Sequence, residues 1–391
     1  MYDQIEKYSR KLIADRSAVP EKIAFAAQDD AVIAAGDAEL ASLAASVIGR
    51  LDCLALCVAA PALPFAQFLL QRAGKSEQEI VPRDTETRTF LHDIPVLRHR
   101  DLGDDPAVAI ARVLGNRKGV IVEDIGIIAS GALTVEQAFI NWSSVFHSTF
   151  IKYLEDVLEL GFMLPGEAQA FGAFRGKWLV PLTASGLRFR KGPLREKALI
   201  LDEMAQVGRY TVERGLVDSF FGNISYSNGD LIYISQTASS LDELAGCIDP
   251  VPFENTSTVG ITASSELVAH RRIFETVGCR AILHGHPRFS VVISMLCDDK
   301  EHCSITDCWK DCPRVRDVGG TPVVAGEIGA GGLAKNVPPV IAKPGRAIVY
   351  GHGVFTLGHN DFEEAFQALV DVENWCREEY FRRFDERHGG F

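Results

Sequence analysis

The sequence has no apolar run long enough to cross a bilayer as a helix. The longest, Cys53 to Ala66, ends after 14 residues and contains Pro61 and Pro64. An apolar leader is missing too, because Met1 to Arg16 is charged throughout, so no export signal is expected. Excess positive charge is also absent: 40 Lys and Arg against 52 Asp and Glu leave a net charge of −12. That balance argues against nucleic acid or an anionic membrane as partner, and it leaves an anionic substrate to be held by a local cluster of donors. Without an export signal, the nine cysteines read as reduced thiols or metal ligands, and a cytoplasmic protein is expected. What is present, 47% hydrophobic and 24% charged residues over 391 positions, suits a folded chain with room for two domains.

The most informative motif is His284-Gly285-His286-Pro287, preceded by the apolar run Ala281-Ile282-Leu283. Side chains alternate along a strand, so His284 and His286 point to the same side. A third histidine, His352, lies within Tyr350-Gly351-His352-Gly353. Three imidazoles with open positions beside them are how a catalytic zinc is held, in contrast to a closed structural site.

The chain also repeats itself at an offset near 227 residues. Ile121, Val122, Gly126, Gly131, Glu136, Ala138 and Phe139 match Ile348, Val349, Gly353, Gly358, Glu363, Ala365 and Phe366 without a gap. Upstream, Cys53 to Pro61 runs parallel to Cys279 to Pro287. Val58, Ala60 and Ile125 then stand where the second copy has its three histidines, so the first copy keeps the apolar pattern and loses every candidate ligand. Residues 1–165 are therefore expected to be a degenerate, metal-free half. A Gly- and Pro-punctuated linker is expected over 166–195, and the active half over 196–391. In that half, strands are predicted near Asn223–Tyr226, Leu231–Ser235, Ala281–His286, Pro322–Gly326 and Ala347–Gly351. Helices are predicted over 194–214, 265–277, 287–296 and 361–384. The pattern is that of a layered α/β domain.

Other motifs carry weaker signals. Gly222-Asn223-Ile224-Ser225 opens a strand with a turn that offers backbone N–H groups, an amide and a hydroxyl to an anionic oxygen, although an ordinary turn accounts for it as well. In Thr262-Ala263-Ser264-Ser265-Glu266, Ser264 or Ser265 can cap a helix or hold a negative group at its N-terminus. Glu266 is either stabilised there by the helix dipole or acts as a general base with its pKa moved toward neutrality by burial. His270, one turn on, either pairs with Glu266 or faces solvent. Gly326 to Gly332 lacks the context of a dinucleotide site and reads as a flexible loop near the metal.

In the order Gly-Asn-Ile-Ser, Ser-Ser-Glu, His-x-His-Pro and His-Gly, residues 196–385 resemble the class II aldolase/adducin family. The resemblance implies a three-layer α/β/α domain with a mostly antiparallel sheet, preceded here by a truncated copy. It implies Zn2+, or another divalent transition metal, on His284, His286 and His352, and Glu266 as the catalytic acid/base. It places an anionic group, phosphate in the family, against Gly222, Asn223, Ser225, Ser264 and Ser265. The implied activity is that of a lyase working through a metal-stabilised enediolate on a small hydroxy-carbonyl substrate, in first place a sugar phosphate. A decarboxylase or dehydratase of the same family, or a non-catalytic adducin-like module, is the alternative. Family members work as cyclic tetramers, so a homo-oligomer is expected in which two chains build a four-domain pseudo-ring, with an aromatic of the C-terminal tail such as Tyr380 reaching a neighbour.

Two features depart from the family. Ser235-Gln236-Thr237-Ala238 stands where members commonly carry Thr-Pro-Ser-Gly, which narrows backbone approach and makes a non-phosphorylated carboxylate a rival anchor. Cys297, Cys303, Cys308 and Cys312, with His302 among them, would be ligands for a second metal if they converged. Their spacings fit no standard pattern, and free thiols are the preferred account.

Overall fold

The computed structural model describes residues 1–389 except 75–76, 218–220, 255–256, 300–301 and 328. It divides into two units, Met1–Val180 and Pro181–Gly390. The division falls within the stretch 166–195. The first part of that stretch is not a bare connector, since Glu167–Lys177 is a helix that buries Glu167 and Phe171.

The first unit opens with α1 (Tyr2–Ala14), β1 (Ala18–Gln28), β2 (Val32–Gly36), α2 (Ala38–Ile48), β3 (Ala55–Pro61) and α3 (Phe65–Arg72). It continues with β4 (Glu79–Ile80), α4 (Thr85–Leu91), β5 (Ile94–Leu97), α5 (His99–Leu102) and α6 (Pro106–Leu114). Next come β6 (Gly119–Val122), β7 (Gly126–Gly131), the long α7 (Val135–Leu160) and α8 (Glu167–Lys177).

The second unit repeats the plan. It begins with α9 (Lys197–Glu213), β8 (Asn223–Ser227), β9 (Leu231–Ser235), β10 (Ile248–Pro252) and α10 (Leu267–Thr276). There follow β11 (Ala281–Gly285), α11 (Arg288–Met295), α12 (Cys308–Asp311), β12 (Arg316–Val318) and β13 (Thr321–Val324). Last are α13 (Gly329–Asn336), α14 (Pro338–Ile341), β14 (Arg346–Val349), β15 (Gly353–Gly358) and α15 (Phe362–His388).

The first sheet has strand order β2-β1-β3-β7-β6-β5-β4, and the second β10-β9-β8-β11-β15-β14-β13-β12. Without β10 the two orders are the same, strand for strand. Each sheet has one parallel pair, β5 with β6 and β13 with β14; the other pairs are antiparallel. The duplication read from scattered identities is thus a duplication of topology.

Helices cover both faces. On one face of the second sheet, Ala269 and Ile273 of α10, Leu333 of α13 and Ile341 of α14 pack on Ile282, Val349 and Leu357. On the other, α15 lies over β11 and β15 and carries α11 against it. In the first unit, Ala44 and Val47 of α2 and Ile110 of α6 pack on Leu56, Val58, Val120 and Ile128, with α7 over β3 and β7 behind. These are mixed α/β units of three layers. One expectation needs correction: Gly326 to Gly332 is not a loop throughout, because from Gly329 onward it forms the first turn of α13, held down by buried Leu333.

Candidate metal centre

Strand β11 is buried along its length and ends in His284 and Gly285. Because Ile282 faces α10, so does His284, and His286 continues the same side just beyond the strand. The tight turn between β14 and β15 brings His352 to the same point. The side-chain nitrogens of His284, His286 and His352 lie within 4.8 Å of one another, His284 and His286 buried and His352 half-buried. His284 Nε2 is 3.1 Å from His352 Nε2 and 2.9 Å from His286 Nε2.

These residues fit a divalent cation. His284 Nδ1 donates to the Val354 carbonyl at 3.1 Å, which leaves Nε2 as a lone pair aimed at the other two nitrogens. Three ring nitrogens this close repel one another unless protons or a cation neutralise their lone pairs. Bonds of roughly 2.0–2.1 Å to a tetrahedral zinc set nitrogens about 3.3 Å apart, close to the spacing found. The rings are fixed from the sides as well. Phe355 stacks on His284 at 4.0 Å and Phe221 on His286 at 5.5 Å, while the His286 N–H donates to the Leu216 carbonyl at 3.0 Å. Phe355, Phe221 and the Val354 carbonyl were not anticipated. The alternation of β15 directly after His352 is the signal that marks Phe355.

Glu266 sits at the N-cap of α10 without capping it. Its carboxylate turns instead to the imidazoles, with Oε1 3.2 Å from His352 Nε2 and Oε2 3.5 Å from His284 Nε2. The Asn223 amide donates to Oε2 at 2.8 Å. Burial alone would raise this carboxyl, as the sequence suggested. With protons on the imidazoles in place of a cation, the positive charge of His284 and His352 and the bonds from His352 and Asn223 outweigh it and hold Glu266 well below the usual carboxylate range. The group is therefore ionised at neutral pH, a base in the resting site.

The remaining candidates divide. Gly222 turns the chain at φ +82°, and Asn223 beside it is buried, its Oδ1 without a partner among the described residues. Ser264 accepts from the Glu266 N–H at 3.3 Å, and Ser265 next to it is exposed. Ser225 is fully buried and lies 2.6 Å from His270 Nδ1, within the layer between β8 and α10. His270 accordingly neither pairs with Glu266 nor faces solvent. Tyr380 is also enclosed, 0% exposed and packed on Phe289 and Phe381, which removes it as a residue reaching outward. Cys297, Cys303, Cys308 and Cys312 are half-buried free thiols. Burial raises the Cys308 thiol, and the charges of Cys312, Cys297 and Cys303 nearby add to it; among the described residues the ligand atoms that lie within 4.8 Å of one another are those of the three histidines.

In the first unit, Val58 lies in the apolar cluster under α2 and Ile125 packs against it, so the place of the site is filled by core. Among the described residues no helix is long and apolar enough to span a membrane.

Residues 202–380 match the family described as Class II Aldolase and Adducin N-terminal domain. No curated protein matches the chain. Among solved structures, it is similar to L-fuculose-1-phosphate aldolase from Thermus thermophilus, with 23% identity over 50% of this chain and 100% of that one, and a TM-score of 0.40. It is similar to YgbL of Escherichia coli, a candidate aldolase/epimerase/decarboxylase, with 20% identity over 45% and 86% and a TM-score of 0.37. A third is the N-terminal class II aldolase domain of a conserved protein from Thermoplasma acidophilum, 12% identical over 50% and 99%, with a TM-score of 0.37. Over residues 202–380, the chain belongs to the class II aldolase and adducin family.

Proposed function

We propose that the second unit is a zinc-dependent lyase of aldolase type acting on a small hydroxy-carbonyl compound with an anionic tail, in first place a sugar phosphate. The observation that carries this reading is the convergence of three imidazole nitrogens with the Glu266 carboxylate 3.2 Å from one of them. A divalent cation held by His284, His286 and His352 supplies positive charge for the enediolate oxygens that develop as the substrate bond breaks.

The protein's own residues do the rest. Glu266 moves the proton: the Asn223 amide donates to Oε2, which leaves Oε1 to take it up. The orphan Oδ1 of Asn223 accepts from a substrate hydroxyl. Ser264, Ser265 and the turn at Gly222 hold the anionic tail. Ser225, 2.6 Å from His270 Nδ1, holds that ring beneath the site.

Decarboxylation or dehydration of a carboxylate is the second reading, and one observation favours it. Ala238 stands where the family commonly carries glycine, and it adopts φ +61°, so a methyl group occupies ground a phosphate would approach. The chain works as a homo-oligomer.

The test is metal analysis, solution mass and turnover on one preparation. One zinc per chain is expected, lost in His284→Ala and retained in Glu266→Gln, which should nevertheless show no turnover on a panel of sugar phosphates and aromatic hydroxy-carboxylates. An active Glu266→Gln, or wild type without bound metal, overturns the reading. A stable monomer overturns the oligomer.

A further inference from the structure

Glu373 lies in the middle of α15, 6% exposed, on the face of the sheet away from α10. Its carboxylate accepts from the Phe289 N–H at 2.9 Å, the Ser290 N–H at 2.8 Å and the Ser290 hydroxyl at 2.7 Å. Those N–H groups belong to the first turn of α11, which follows His286 and Pro287 directly. Pro287, at the N-cap, provides no side-chain cap, so the carboxylate takes that place from 83 residues away. The other end of α11 serves the same site. Ser294, fully buried, accepts from the Gly351 N–H at 2.9 Å, next to His352. Helix α11 is thus a rod tied to two ligand-bearing segments, and Glu373 fixes where the rod begins.

The first unit supplies an internal control. At the repeat offset, Glu373 corresponds to Phe146 on α7, and α3 begins after Pro64 with no side-chain cap. The same strand order is built there without the carboxylate. The half that lost the three imidazoles also lacks this acid, so the architecture does not require it.

We propose that Glu373 is a positioning residue for the metal centre, holding the start of α11 so that His286 stays in register with His284 and His352. This rests on the histidine site described above. A carboxylate at a helix N-terminus is favourable, and a ligand whose backbone is anchored costs less to order when the ion arrives.

The experiment measures zinc affinity by competition with a chromophoric chelator, together with the melting of the metal-free protein and the visible spectrum of the cobalt(II) form. The proteins are wild type, Glu373→Gln, Glu373→Leu and Val372→Ala. Glu373→Leu should bind zinc roughly 10–100-fold more weakly with an altered cobalt spectrum. Glu373→Gln keeps one acceptor oxygen and should lose affinity only several-fold. Val372→Ala, a buried neighbour on the same helix, should lower apo melting and leave zinc affinity unchanged. Should both Glu373 variants bind zinc as tightly as wild type, or Val372→Ala weaken it equally, the positioning role is overturned while the site stands. Wild type that binds no zinc overturns both.

Discussion

His270 is buried between β8 and α10 with Nδ1 against Ser225 and Nε2 without a partner among the described residues. Burial pushes its pKa down to about 3; the nearby charge of Glu266 opposes this and that of His284 adds to it. The folded chain thus keeps His270 neutral far below the pH at which the unfolded chain protonates it. Between those two values the unfolded state binds more protons, so stability rises with pH. The contribution is intact above about pH 6.5 and is lost progressively as pH falls toward the folded value, amounting to about 3 kcal/mol at pH 4.5. Urea denaturation of metal-stripped wild type and His270→Gln at pH 7.5 and 4.5 checks this, and the variant should lose less stability on acidification. Equal losses would show that His270 is not the group responsible. Helical spacing correctly set Glu266 and His270 one turn apart. It gave no warning that they part company, because Glu266 at the first residue turns to the imidazoles while His270 follows Ala269 and Ile273 into the core.

At the level of elements, the turn into β15 shows how the strand pairing constrains the site. A Cβ on Gly353 would lie 2.4 Å from the Gly285 carbonyl oxygen, 2.8 Å from the His286 ring and 3.0 Å from the His284 ring. Its counterpart Gly126 would place a Cβ 2.6 Å from the Ala59 carbonyl oxygen. The first unit has no imidazoles there, so the close approach belongs to the strands and not to the metal. Gly353→Ala and Gly126→Ala should therefore each destabilise the chain, by about 3 kcal/mol, as read from denaturant midpoints. Destabilisation at Gly353 alone would mean the glycine serves the ligands. The same view explains which elements were legible. The buried strands β8, β9, β11 and β14 and the helices α10, α11 and α15 carry strong periodic patterns. Three strands of the second sheet lie outside the predicted ones: central β15, fully buried and set between two glycines, and the edges, where β10 contains Pro250 and Pro252 and β12 is three residues with two charges. Proline and charge at an edge discourage pairing with other chains, and they also erase the pattern by which a strand is recognised.

Across the molecule, one topology occurs twice with opposite chemistry. The repeat, the three histidines and the loss of their counterparts were legible because identities at a constant offset survive in sequence. Glu373 was not, because an acid on a long helix gives no sign that it bonds 83 residues away. The exchange of His284, His286 and His352 for Val58, Ala60 and Ile125 makes a prediction about where a ligand's free energy is felt. An ion that binds only the folded second unit stabilises it by RT ln(1 + [Zn]/Kd), about 2.7 kcal/mol at a hundredfold excess over Kd. Amide hydrogen exchange with and without zinc should therefore slow at β11, at the turn between β14 and β15 and at the start of α10. The matching segments 55–61 and 119–131 should exchange at unchanged rates, although they have the same fold. Zinc-dependent protection there would mean the first unit holds an ion of its own, and the division of labour between the halves would have to be abandoned.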